Sequence, residues 1–293
     1  MRILVTGASG MLGATLVSIL EKEHTVYGTG NSNFNEQSKN YRTFNLASDS
    51  YEDLIMWSKP ELIILSGALT NGNYCEEHPQ EAFHINGFSV DKFIKSTTEN
   101  VKIIYISTDA VFPSKINLAK ESDCVCPENI YGKSKELGEF FTTNSNRDFC
   151  VLRTTIVGLN LNKKKTGFLE WIINSAKQSE KISLFEDVIF NPISIWDFIE
   201  EIKFIIALEK FPNKILHISG TELTTKYNFG LKLLQALNLD IKNLNKGSIK
   251  SLKKRAKRCN DQSLDCNYYQ NYYERALPNL DDTIKSIKYY ESN

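Results

Sequence analysis

The chain has 293 residues, close to the size at which one hydrophobic core stops growing, so one large domain with a smaller lobe is expected. Its 35 basic residues offset 35 acidic ones, which argues against a general nucleic-acid or membrane-surface binder. With 41% apolar and 24% charged residues the composition is that of an ordinary folded protein. No apolar run approaches the roughly 18 residues of a membrane span, and Ile3-Leu4-Val5 is too short for the apolar part of a secretory signal. The six cysteines (75, 124, 126, 150, 259 and 266) form no Cys-x-x-Cys pair, and the four histidines (24, 78, 84 and 217) have no helical pair spacing. They predict reduced thiols of a cytoplasmic protein and no metal site.

In chain order, residues 2–7 predict a buried strand, brief, β-branched and closed by glycine. Leu12, Leu16, Ile19 and Leu20 follow at helical spacing and predict a helix packed on a sheet. Further strands are expected at 25–27, 41–46, 62–66, 103–107 and 150–157, with helices at 51–58, 79–98 and 131–144. Apolar strands alternating with helices predict a parallel sheet covered on both faces, a doubly wound α/β (Rossmann) fold. The second half predicts helices at 168–178, 195–209 and 226–238 around short strands at 182–185 and 214–218. No linker separates the halves. The expected division is a cofactor domain over 1–160 and, over 161–293, a smaller C-terminal α+β substrate lobe interleaved with the last sheet strands.

Gly7-Ala-Ser-Gly10-Met-Leu-Gly13 stands between the first strand and the first helix. Glycines there permit a tight turn, close backbone approach to a pyrophosphate and close helix–strand packing, while the helix N-terminus offers N–H groups to phosphate. The predicted ligand is a dinucleotide. At the end of the second strand, Gly30-Asn-Ser-Asn33 holds no acid, so nothing there would repel a 2′-phosphate. NADP(H) is therefore favoured, with NAD(H) as the alternative and Arg42 as a speculative anion contact.

Ser107-Thr108-Asp109 ends an apolar strand, and Tyr131-Gly-Lys-Ser-Lys135 opens a helix about twenty residues later. Residues i and i+4 share a helix face, so Tyr131 and Lys135 can address one point. An ammonium beside a phenol would lower its ordinary value near 10. Tyr131 would then protonate a carbonyl oxygen as hydride reaches its carbon, and the Thr108 hydroxyl would polarise that oxygen.

These segments together resemble the extended short-chain dehydrogenase/reductase family, in particular its dTDP-4-dehydrorhamnose reductase-like, sugar-nucleotide-binding branch. Ile106-Ser-Thr-Asp-Ala-Val-Phe112, Tyr131 to Glu139, Leu152-Arg-Thr154, Asn73 to Pro79 with Ile85-Asn86, and Arg258 to Cys266 carry the resemblance, in that order, over most of the chain. It implies a catalytic triad of Thr108, Tyr131 and Lys135. It implies cofactor contacts at Gly7, Ser9, Gly10, Met11, Leu12, Asn31, Ser32, Asn45, Leu46, Gly67, Ala68, Tyr131 and Lys135. Substrate contacts are implied at Thr108, Asp109, Asn191 and Arg258.

The implied activity is NAD(P)H-dependent reduction of the 4-keto group of a nucleotide-linked 6-deoxysugar, in surface polysaccharide sugar synthesis. The partner expected under this activity is a second copy of the chain, as a homodimer, with no nucleic acid and no membrane. Two other readings stand beside it. Nucleotide-sugar dehydratases usually have Asp-Glu after the threonine, where this chain has Asp109-Ala110, and an epimerase belongs to the same class. Leu216-His-Ile-Ser-Gly220 and Thr225-Lys-Tyr227 also resemble the regulatory β subunit of methionine adenosyltransferase, a cofactor-holding partner protein. Ala110 and Ile156 are smaller than the Tyr and Trp the reductases place there, changes expected to face the sugar.

Lys250, Lys253, Lys254, Arg255, Lys257 and Arg258 predict a solvated face, with Arg258 the one candidate for gripping a diphosphate. Tyr268, Tyr269, Tyr272 and Tyr273 predict helix packing or an oligomer contact. Glu121 is expected to be solvated, and Cys124 and Cys126 to be without a role.

Overall fold

A computed structural model describes residues 1–32, 39–251 and 256–292. Thirteen strands are found among them: β1 (Arg2–Thr6), β2 (Thr25–Gly30), β3 (Tyr41–Thr43), β4 (Leu62–Leu65), β5 (Lys102–Ile106), β6 (Phe149–Arg153), β7 (Ile156–Val157), β8 (Ile182–Phe185), β9 (Ile189–Phe190), β10 (Ile193–Ser194), β11 (Lys214–His217), β12 (Thr224–Thr225) and β13 (Leu244–Gly247). The helices are α1 (Met11–Leu20), α2 (Tyr51–Ser58), α3 (Gly72–Glu77), α4 (Pro79–Phe83), α5 (Ser89–Lys95), α6 (Ile130–Thr143), α7 (Phe168–Lys177), α8 (Ile195–Ala207), α9 (Lys226–Ala236), α10 (Asn267–Tyr273) and α11 (Leu280–Ser292).

Seven strands form one parallel sheet in the order β11-β6-β5-β4-β1-β2-β3, with the reversal of direction at β1 that defines a doubly wound fold. The period of two along each strand sorts the core. Ile3, Val5, Leu62, Ile64, Ile104 and Leu152 enter one apolar cluster, while Leu4, Ile63, Ile103, Tyr105 and Val151 enter the other, and all of them are buried. Both faces are thus covered, which is why these strands read as unbroken apolar runs rather than alternating ones.

The C-terminal part is built on three two-stranded pairings, β8 with β13, β9 with β12 and β7 with β10. Between them β11 returns to the main sheet beside β6. Helix α11 packs on α9 and β10. In α10, Tyr269 is buried and donates to Glu201 at 2.6 Å, whereas the exposed Tyr268 and Tyr272 rings stack at 5.6 Å.

One predicted helix is divided. Of residues 79–98, Pro79–Lys95 form α4, a π-helical turn over His84–Phe88, and α5, and the last three are not helical. Two contacts account for the turn. The buried Tyr105 hydroxyl donates to the Asn86 carbonyl at 2.9 Å, taking that acceptor out of the helical ladder. Gly87 packs directly under Leu137 of α6, leaving no room for a β-carbon. The Asn86 side chain then ties Leu69, after β4, to Ser134 on α6, consistent with the use of such turns at functional sites.

Candidate active site

A cleft of about 980 Å³ lies over the C-terminal ends of the strands and runs along the β1–α1 turn. That turn is bare backbone. Gly7 has φ +69°, its carbonyl accepts from the Gly10 N–H at 2.8 Å, and a β-carbon on Gly13 would overlap the same carbonyl. Helix α1 starts after Gly10 with no side-chain cap, so its first-turn N–H groups and the positive end of its dipole remain available to an anion. The cleft wall includes Gly7, Ser9, Gly10, Met11 and Leu12 here, Asn31 beyond β2, Asn45 and Leu46 beyond β3, and Gly67 and Ala68 beyond β4. These residues fit a dinucleotide: an uncapped helix start for the pyrophosphate, with flanking strand ends for the two nucleosides. Gly13→Ala should therefore cost about 1–3 kcal/mol in denaturant unfolding, because the Gly7 carbonyl and the Ala8 nitrogen that it would meet are backbone. The same substitution should weaken NADPH binding in a fluorescence titration by tenfold or more.

Two of the cofactor expectations change around β2. Ser32 is off the cleft wall: its carbonyl accepts from the Tyr41 hydroxyl, and its own hydroxyl is buried without a partner among the described residues. Arg42 is also off the wall, its guanidinium lying 4.4 Å over the Trp57 ring. Asn33 lies outside the described residues. Asp49, which sequence reasoning missed, is on the wall, but one carboxylate oxygen already accepts from the Asn45 N–H at 2.8 Å. Lys165 was missed as well. It reaches the wall from the loop before α7 and donates to the Ser9 carbonyl at 2.8 Å, beside the glycine turn. Nothing in the Lys163-Lys164-Lys165 run marks one lysine as the inward one.

Thr108, Tyr131 and Lys135 meet on the same wall. Helix α6 begins at the side chain of Asn129, which accepts from the Gly132 N–H at 2.7 Å. A β-carbon at Gly132 would overlap the Ala110 carbonyl, so only glycine lets the helix start press against the turn after β5. That contact brings the Tyr131 phenol into hydrogen-bonding reach of the Thr108 hydroxyl. Thr108 donates to the Asp109 carboxylate at 3.0 Å.

Lys135 is 3% exposed, with its ammonium bonded to the Ile106 carbonyl at 2.7 Å and 4.0 Å over the Tyr105 ring. Burial pushes it down to about 7, against the opposing pull of Glu139. In this structure the Tyr131 phenol is held above its ordinary value rather than below it. Burial raises the phenol first, the neighbouring Asp109 carboxylate adds to this, and the hydrogen bond with Thr108 opposes it. The ammonium is engaged by the Ile106 carbonyl and the Tyr105 ring.

A buried charge network underlies this group. Glu139 accepts from Ser107 at 2.5 Å and from Arg153 through two bonds of 2.9 and 2.6 Å. Arg153 also approaches His217 Nε2 at 3.4 Å, and burial together with that guanidinium holds the imidazole down at about 3. Glu121 is half-buried rather than solvated, because it caps β11 by accepting from the His217 N–H at 3.0 Å.

The far end of the cleft is lined by Asp109, Thr154, Thr155, Ile156, Phe168, Phe190, Lys226 and Gln262. Burial pushes Asp109 up to about 6, and Lys226 opposes the shift. The Lys226 ammonium sits 3.3 Å from the Phe190 ring centroid; burial pushes it down to about 7, Asp109 opposing and Arg258 adding to the shift. Lys226 was legible only as part of a resemblance, not as a site residue.

Two substrate expectations change here. Asn191 is 2% exposed and not on the wall: its side chain donates to the Gly220 and Leu264 carbonyls and accepts from the Leu264 N–H. Both of its N–H donors and its carbonyl oxygen are engaged in joining three segments of the lobe. Arg258 is exposed and off the wall, and its charge bears on Lys226. Ile156 faces the cleft and Ala110 does not. Lys253, Lys254 and Arg255 lie outside the described residues. Among those described, no group of three His, Cys, Asp or Glu could hold a metal ion, and no helix is long and apolar enough to cross a membrane.

Glycine turn, strand-end threonine and a Tyr/Lys helix on one cleft define a nucleotide-cofactor oxidoreductase of the doubly wound α/β class. The match to a family model is nearly complete, over residues 1–289, and the chain belongs to that family, the RmlD substrate binding domain family. Spore coat polysaccharide biosynthesis protein SpsK of Bacillus subtilis (strain 168) is 27% identical over 242 residues, 82% of this chain and 80% of the relative. The dTDP-4-dehydrorhamnose reductase of Aggregatibacter actinomycetemcomitans is 26% identical over 239 residues, 79% of this chain and 78% of its own. Methionine adenosyltransferase 2 subunit beta of Mus musculus is 26% identical over 249 residues, 81% and 72% of the two chains. Among solved structures, dTDP-4-dehydrorhamnose reductase from Bacillus anthracis str. Ames in complex with NADP superposes with a TM-score of 0.86 at 23% identity, covering 100% of this chain and 99% of that one.

Proposed function

We propose that this protein is an NADPH-dependent reductase of the 4-keto group of a nucleotide-linked 6-deoxysugar, serving polysaccharide synthesis. The observation that carries the reading is the meeting of the Thr108 and Tyr131 hydroxyls with Lys135 on a cleft whose other end is an uncapped glycine turn. Residues 1–160 would hold the cofactor and 161–293 mostly the sugar. Six cysteines without a disulfide suit a cytoplasmic setting. A homodimer belongs to the same reading and is tested by sedimentation.

Bound NADPH supplies the hydride. Thr108 turns its hydroxyl proton from the Asp109 carboxylate to the ketone oxygen and holds it there, and Tyr131 delivers a proton to that oxygen as the carbon is reduced, so the product is a secondary alcohol. Tyr131 is protonated at neutral pH because burial holds its phenol up, so the donor form is the resting one. Lys135, on the same cleft wall and anchored on the Ile106 carbonyl, adds a positive charge to the site.

Purified protein given dTDP-4-dehydrorhamnose should consume NADPH in a one-to-one ratio to the alcohol formed, read by absorbance and product analysis. An epimerase or dehydratase would make product without net NADPH loss. A regulatory subunit would bind NADPH, turn over no nucleotide sugar and co-purify with a partner enzyme. Either result would remove the reductase reading.

A further inference from the structure

We propose that Lys226 is a specificity-determining residue that, together with Asp109, reads two adjacent hydroxyl groups of the sugar ring beside the reacting ketone. The inference rests on the reading above and narrows it to a part of the substrate. Three observations carry it.

First, Lys226 comes from the far lobe, yet its side chain lies on the cleft wall with Asp109 and Thr154. Its position is fixed: Thr225 caps α9 by accepting from the Asn228 N–H at 3.0 Å, and the ammonium rests on the Phe190 ring. Second, Lys226 and Asp109 feel each other's charge but make no contact ion pair among the described residues. Third, the Thr154 hydroxyl on the same wall is 5% exposed and has no hydrogen-bond partner among the described residues.

The chemistry of the pair selects its ligand. An ammonium only donates and a carboxylate only accepts, whereas a hydroxyl does both, so neighbouring hydroxyls satisfy the two groups together. A phosphate or a sugar carboxylate would meet repulsion from Asp109, and a plain methyl or methylene would leave both charges desolvated and unpaired. Phe168 and Phe190 offer flat apolar surface to the C–H face of a ring. Because Asp109 is bonded to Thr108 at 3.0 Å, the hydroxyls read are the one on C3, next to the ketone, and the one on C2 beyond it.

The test is calorimetry of the NADP-loaded protein with three ligands: dTDP-rhamnose, its 2-deoxy analogue and dTDP alone. Wild type should prefer dTDP-rhamnose to the 2-deoxy analogue by tenfold or more. Lys226→Met should bind dTDP-rhamnose about 10- to 100-fold more weakly, should no longer distinguish the analogue, and should bind dTDP as wild type does. Lys226→Arg, which keeps a donor, should retain part of the preference. Unchanged affinity in Lys226→Met, or an equal loss for dTDP, would overturn the proposal; the second result would place Lys226 on the diphosphate. A protein that binds the sugar through Lys226 but oxidises no NADPH would refute the reductase reading and leave this one standing.

Discussion

Tyr131→Phe is expected to slow NADPH oxidation by about 10²–10⁴-fold, the range for removing a positioned proton donor. The phenyl ring keeps the volume of the side chain, so NADPH affinity and unfolding should stay close to wild type. The loss should therefore fall on kcat, read under saturating substrate. The structure sharpens the pH dependence. Since burial raises the Tyr131 phenol, it stays protonated throughout the neutral range and contributes no alkaline fall there. Lys135, pushed down to about 7, loses its charge as pH rises through that value, so a requirement for its ammonium would appear as an alkaline limb near 7 in the wild-type rate. A Tyr131→Phe protein with wild-type kcat would leave the hydroxyl of Thr108 or solvent as the donor and remove the role given to the phenol.

Much of this site was legible before any coordinates because its parts are local. The glycine turn, the strand-end Ser107-Thr108-Asp109 and the i, i+4 pair Tyr131 and Lys135 each depend on the backbone within a few residues, and strand and helix periodicities place them at the same sheet edge. What failed was non-local. Lys165 reaches the cleft from the loop before α7, in a run of three lysines with nothing to mark the inward one, and Lys226 from the start of α9, where a single lysine carries no pattern. Asn191 misled for the opposite reason: a polar residue before proline has the look of a ligand loop, but burial obliges it to spend every bond within the lobe. Arg42 and Ser32 turned away through a cation–π contact and a tyrosine hydroxyl that no spacing announces. The short strands β9, β10 and β12 contain two residues each, too few for any period to show. Helix α11 does carry a buried stripe, Leu280, Thr283, Ile284 and Ile287, that a longer window over the C-terminus would have found.

The second large effect concerns the charges beneath the triad. Arg153→Met is expected to destabilise the fold by about 3–5 kcal/mol in denaturant unfolding, since it leaves the Glu139 carboxylate buried without its two guanidinium bonds. Both side chains are almost inaccessible, 3% and 6% exposed, so solvent cannot replace the lost partner. Against a total stability on the order of 5–15 kcal/mol, that is a large share. Removing both charges together, as Glu139→Leu with Arg153→Met, should recover most of the loss, because the penalty lies in the orphaned charge rather than in the absence of the pair. Glu139→Gln separates support of the fold from support of the chemistry. Glu139 is the group that opposes the depression of Lys135, so removing its charge lowers the lysine further. A depressed ammonium is lost at lower pH, and the alkaline limb of the rate should move from near 7 toward more acidic values in Glu139→Gln. If that limb stays in place while stability falls, the network holds the sheet edge together and has no part in tuning Lys135.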